Sequence, residues 1–242
     1  MYEPGLGAGR TQRGITGLET AIILIAFVVV ASVFAFTVLS TGIFSSERSK
    51  ETVYAGLEEV RSTLEPRGSV IAFRGRYGAG APTETVYKIS FVVAQAVSGE
   101  PLDLTPPYSA DNSSTDPDVV SGAQYKTIVT FSDINQHMSD VPWSVVWLGF
   151  SDGDNILDAG EKAEITMWLF DRLNGVPDPD SDNSIGLMDG TGDGGGDGGM
   201  AATSTALGVN DRFTVEIQPP TGAVLTIERT LPARMTRVMD LR

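Results

Sequence analysis

From Thr20 to Ser46 the chain carries no charged residue, reading TAIILIAFVVVASVFAFTVLSTGIFSS. The run exceeds the roughly 20 apolar residues that take a helix across a bilayer. As a helix it is apolar on every side, so no face of it suits water and it has to be buried all round. Charge returns after Ser46 with Glu47, Arg48, Lys50, Glu51, Glu58, Glu59 and Arg61. Here Val53, Leu57, Val60 and Leu64 recur at steps of four, three and four, which draws one apolar stripe along a continuing helix. Pro66 and Gly68 stop it. The pattern predicts a single helix over 15–65, roughly 75 Å long at about 1.5 Å per residue.

Beyond residue 66 the period changes. Ser69–Phe73, Thr85–Val97, Tyr125–Phe131, Trp143–Phe150, Ala163–Phe170, Phe213–Ile217 and Ala223–Glu228 are rich in branched and aromatic residues. Several alternate, as Phe213, Val215 and Ile217 do against Thr214 and Glu216. Gly, Pro, Asp and Asn separate them. Short strands at this spacing predict an antiparallel sandwich or barrel over 66–242. The fold class is therefore α+β, a long N-terminal helix followed by antiparallel sheet. Two long loops interrupt the strands. Pro101–Gly122 is acidic and rich in Ser, Thr and Pro. Pro177–Ser204 contains DGTGDGGGDGG, whose glycines have no side chains to bury, so it reads as a mobile, exposed surface loop.

Composition removes whole classes of function. The 242 residues include no cysteine, which excludes disulfides, thiolate zinc sites and cysteine nucleophiles. A formal charge of −14 argues against nucleic acid as a partner. His137 is the single histidine, hence the only base open to a Ser-His-Asp triad, and it reads as a solvated loop residue. Trp143 and Trp147, with Val145 between them, read as one core face of a strand. Arg229, Arg234, Arg237 and Arg242 read as solvated or paired with acids. No acid–base or nucleophile set emerges, so the chain reads as a non-enzyme.

Two places invite a ligand or a modification. Asp152, Asp154, Asn155, Asp158 and Glu161 crowd a turn between two strand-like segments. Hard oxygen donors at this density suit Ca2+, although the spacing is not that of an EF-hand. The alternative is a polar hairpin turn, in which Asp, Asn and Gly are ordinary residues. Asn112-Ser113-Ser114 is an N-x-[ST] triplet in the acidic loop, which makes Asn112 the candidate for glycosylation.

The N-terminus departs from an ordinary secretory signal. Residues 1–14, MYEPGLGAGRTQRG, are polar and glycine-rich, with Arg10 and Arg13 near the end, and ITGLET precedes the apolar run. A single-pass anchor with its arginines on the cytoplasmic side is one reading. The combination Arg13-Gly14-Ile15, then Glu19, then the long apolar helix is more specific, and resembles the class III leader and core helix of archaellins and type IV pilins.

That resemblance, close over about the first fifth of the chain, carries several implications. A prepilin-type peptidase would cut between Gly14 and Ile15, removing 1–14 as a leader. Glu19 would become the fifth mature residue and attract the new amino terminus of an adjoining subunit's Ile15 during assembly. The precursor would sit in the cytoplasmic membrane. An assembly ATPase and a membrane platform would then build it into a homopolymer held through the N-terminal helices. The domain at 66–242 would be an immunoglobulin-like sandwich, and acidic D-x-D…G-E turns occur in archaellins. The implied product is an extracellular filament on an archaeal cell surface, most simply the archaellum used for swimming. An adhesive type IV pilin, or a membrane-anchored surface protein that never polymerises, are the alternatives.

Overall fold

The structure is a computed structural model that describes residues 17–61, 63–97, 100–111, 116–173, 180–188, 197–200 and 202–241. The chain divides into two compact units between Tyr54 and Ala55.

Helix α1 spans Gly17–Arg61, 45 residues. Glu19 lies in its first turn, where a carboxylate complements the positive end of the helix dipole. Three hydroxyls within the apolar run turn back on their own helix. Ser32 donates to the Val29 carbonyl, Thr37 to Val33 and Thr41 to Thr37, each at 2.8 Å. These three hydroxyls are thereby satisfied without a partner from outside the helix.

The helix ends earlier than its apolar stripe predicts. Leu64–Pro66 form strand β1 instead, with Leu64 opposite Gln95 and only 3% exposed. Burying a leucine in a sheet core contributes about 1.5–3 kcal/mol, more than the few tenths separating helix propensities at one position. Tertiary packing thus takes the last member of the stripe away from the helix.

The strands that follow are β2 (Val70–Tyr77), β3 (Thr83–Gln95), β4 (Leu102–Asp103), β5 (Tyr108–Ser109), β6 (Asp118–Val119), β7 (Ile128–Asp133) and β8 (His137–Met138). Then come β9 (Trp143–Trp147), β10 (Ile156–Leu157), β11 (Ala163–Trp168), β12 (Asp171–Arg172) and β13 (Ile185–Gly186). The last three are β14 (Arg212–Gln218), β15 (Leu225–Thr230) and β16 (Val238–Leu241). One antiparallel sheet runs β16-β2-β3-β11-β9, with β1 added beside β3. A second runs β15-β14-β7-β8. Their inner faces share one core, in which Ile89, Phe91 and Val93 of β3 meet Phe131 of β7 and Phe213 of β14. The last two rings stack with centroids 6.0 Å apart. This is an antiparallel β-sandwich, and every strand-rich segment of the sequence supplies one of its strands.

The described parts of both long loops contribute to the fold. In the first, Leu102 and Leu104 are fully buried, and β4 pairs with β10. In the second, Ile185, Met188 and Met200 enter the core, which overturns the expectation of an exposed segment over its described part. Charge ties this strap down. Arg74 and Arg76 of β2 both pair with Glu84 of β3, at 3.3 and 2.8 Å. Arg74 also pairs with Asp180, and Arg76 donates to the Asp180 carbonyl at 2.8 Å. The Arg76 hydrogen bond and the Arg74 charge hold the Glu84 carboxyl below its ordinary range against the opposing effect of burial. Gly75 makes room beneath the strap, since a Cβ there would lie 2.4 Å from Ile185 Cγ2.

Candidate functional site

The functional feature of the first unit is the surface of α1 itself. Its large apolar side chains from Leu18 to Leu57 are all exposed, between 46% and 73%. The length and composition of Gly17–Leu57 suffice to cross a membrane. A groove of about 830 Å³ runs over Ala35, Val38, Gly42 and Ser46, walled by Phe34 and Ile43. Ala35, Gly42 and Ser46 in its lining are small, which lets another backbone come close. Charge resumes at one end of the groove, where Glu47 and Lys50 join its lining. Arg48 pairs with Glu51 at 3.1 Å and lies over the Phe44 ring at 5.6 Å, marking where the apolar surface ends. Glu19 is exposed at the other end. Arg13, Gly14 and Ile15 lie outside the described residues, as does Asn112.

In the second unit the acidic turn joins β9 to β11 by way of β10. Glu161 is its anchor, 4% exposed. Its two carboxylate oxygens accept the backbone N–H groups of Asp152 and Asp158, at 3.2 and 3.0 Å. Oδ1 of Asp152 accepts the Asp154 N–H at 3.2 Å, and Oδ1 of Asp154 accepts the Ile156 N–H at 2.8 Å. Glu161 is therefore engaged in shaping the turn, whereas Asp152, Asp154 and Asn155 are exposed and Asp158 is half-buried. Burial, and then the charges of Glu161, Asp152 and Asp154, push the Asp158 carboxyl above its ordinary value.

Among the described residues, a different acidic trio draws its oxygens within 4.8 Å of one another: Asp111, Asp116 and Asp118. The sequence shows these residues only as members of an acidic loop; what brings them together is the pairing of β5 with β6, which sets Asp118 opposite Ser109. Its centre, Asp116, is fully buried and faces Arg172 Nη1 at 3.5 Å, so a guanidinium already supplies countercharge. Oδ1 of Asp116 accepts the Asp111 N–H at 3.1 Å. Asp118 has its carboxyl pushed up by burial and by the charges of Asp111 and Asp116.

No catalytic arrangement forms around His137. It is exposed on β8 opposite Ser132, and among the described residues no hydrogen bond joins its side chain to a serine, threonine or acid. Trp143 is fully buried and Trp147 half-buried, as the alternation along β9 predicts.

Comparison with known proteins points the same way. The profile of the archaeal-type flagellin family matches residues 14–229. Probable flagellin 2 of Archaeoglobus fulgidus is 32% identical over 237 residues, covering 95% of this chain and 94% of the relative. Probable flagellin 1 of the same organism is 30% identical over 233 residues, covering 96% of each. Among solved structures, the archaeal flagellum of Methanospirillum hungatei strain JF1 shares the fold, with a TM-score of 0.51. Its sequence identity is 21%, and the match covers 91% of this chain and 96% of that one.

Proposed function

The chain belongs to the archaeal-type flagellin family, and from that premise we propose that it is the structural subunit of an archaellum, polymerised on the cell surface for swimming. The observation that carries the reading is the contrast between the two units. The sandwich gathers most of its large apolar residues into one core, while α1 leaves every large apolar side chain from Leu18 to Leu57 at least 46% exposed. Such a surface needs lipid before assembly and like helices afterwards. Because lipid and leucine are equally apolar, leaving the bilayer is driven by close packing rather than by the hydrophobic effect. The groove at Ala35, Gly42 and Ser46 suits that packing. The hydroxyls of Ser32, Thr37 and Thr41 are already satisfied within the helix, so they suit both settings.

The precursor is held in the cytoplasmic membrane by α1 and loses residues 1–14 to a prepilin-type peptidase cutting after Gly14. An assembly ATPase and a membrane platform then add it to the filament base. The family match beginning at residue 14 supports that boundary. Glu19, the one acid within the apolar end of α1, seeks the amino group of Ile15 on an adjoining subunit, since a carboxylate in apolar surroundings demands a partner. The chain is structural and carries no catalysis.

The acidic turn is proposed to take a calcium ion through Asp152, Asp154 and Asp158, with Asn155 beside them and Glu161 kept as the backbone tether. The charge crowding at Asp158 supports it. Calcium suits an irregular oxygen site better than magnesium does. The melting temperature of the full chain in detergent should rise in millimolar calcium and fall in chelator. Identical melting in both would leave the turn a self-contained hydrogen-bonded loop.

Deletion of the gene tests the main reading. Cells should lose their swimming filaments under the electron microscope and stop swimming, and both should return with the intact gene. Cells that keep swimming but lose surface attachment would make it an adhesive pilin. Unaltered filaments and motility would make it a surface protein that does not polymerise.

A further inference from the structure

The least ordinary cation of the sandwich is Lys88, on β3. Successive residues of β3 alternate between the two faces of the sheet: Ile89, Phe91 and Val93 enter the core, and Lys88 stands on the opposite face. Its cross-strand partners there are Phe73 on β2 and Trp168 on β11. The β2–β3 register slips by one residue next to this pair, going from Phe73 opposite Lys88 to Arg74 opposite Val86. Tyr87 is thereby left without an opposite residue in β2, and its ring meets both Phe73 and Trp168, at centroid distances of 6.4 and 6.2 Å. Three rings surround one amine. Nζ of Lys88 lies 4.6 Å from the Trp168 ring, 4.9 Å from Phe73 and 5.6 Å from Tyr87.

The box offers π faces and no acceptor. Among the described residues, Lys88 donates no hydrogen bond and makes no ion pair. A primary ammonium has three N–H donors that want oxygen partners. The other three lysines, Lys50, Lys126 and Lys162, are exposed. An aromatic box without an acceptor favours an ammonium whose N–H groups have been replaced by carbon. Methyl groups keep the positive charge, remove the donors and extend the surface in contact with the rings.

We infer that Lys88 is a site of Nζ-methylation, set by the box of Phe73, Tyr87 and Trp168. In each transfer the neutral Nζ attacks the methyl carbon of a sulfonium donor. The ammonium first gives one proton to water; the N–C bond then forms as the C–S bond breaks, the sulfur leaves as a neutral thioether, and the positive charge passes to Nζ. Burial, and then the Arg172 charge, lower the affinity of Lys88 for its proton, which favours the neutral nucleophile. Lys88 and Phe73 are half-buried whereas Tyr87 and Trp168 are buried, so Phe73 forms the side of the box nearer solvent.

The test is peptide mass spectrometry of the full chain taken from its native cells. The peptide containing Lys88 should carry one to three added methyl groups, while those containing Lys50, Lys126 and Lys162 should not. A chain whose Lys88 is unmodified would overturn the inference and leave the box a purely structural cation–π contact. Methyl groups spread equally over the exposed lysines would also overturn it, because the box would then confer no selectivity. Neither outcome bears on whether the chain forms filaments.

Discussion

Tyr125 and Asp140 show how much one hydrogen bond sets at the surface of the sandwich. Tyr125 donates to Asp140 Oδ2 at 2.7 Å, and that bond, followed by burial and the carboxylate charge, pushes the phenol up to about 12. A raised pKa favours the protonated form in the folded chain, so this stabilisation is whole below the ordinary tyrosine value near 10 and is lost as pH rises toward 12. Ultraviolet titration of Asp140→Asn should bring the Tyr125 midpoint down, and melting of the variant should depend less on pH between those limits. A midpoint unchanged by the substitution would dissociate the phenol from Asp140. Glu19 supplies the other test at this scale. The assembly role proposed for it predicts that Glu19→Ala cells make few or short filaments while the subunit still accumulates in the membrane. Filaments of wild-type number and length would remove that role.

At the scale of elements, what the sequence made legible depended on period. A continuous apolar run and strict alternation announce α1 and the seven long strands, because each signal repeats over many residues. The nine short strands had no such repeat. β4 and β10 pair over two residues each, and their partners are more than fifty positions apart. The strap over β2 was obscured because Ile185, Met188 and Met200 flank a glycine-rich tract that dominates the local composition. The acidic turn was legible as a cluster, but the inward use of Glu161 by two backbone N–H groups was not, since hydrogen-bond direction is a property of the fold. The strap gives the prediction for this scale. Gly75→Ala places a methyl against Ile185 Cγ2, and overpacking of this kind costs about 1–3 kcal/mol. Ile185→Ala alone removes buried methyl groups and costs about 2–5 kcal/mol. Denaturant unfolding should show the double variant to be more stable than the sum of the two losses, because the alanine at 185 relieves the crowding at 75. Strict additivity would mean the two residues do not press on each other.

The whole molecule joins a unit with a satisfied core to one that has none of its own. Each is reasonable only in its own medium, and the filament proposed above supplies both. The composition fits that division. A charge of −14 suits an exposed domain, and the 27-residue uncharged run suits a buried strand of a bundle. The fold and the family were legible in the sequence because these two signals are long. Which face of α1 meets which neighbour was not legible, since a helix that is apolar all round has no stripe to read. The most direct measurement is mass spectrometry of filaments sheared from swimming cells and purified. The account predicts that this chain is a main component and that its N-terminal peptide begins at Ile15, reading ITGLET. Filaments that lack the chain, or that contain it starting at Met1, would contradict it.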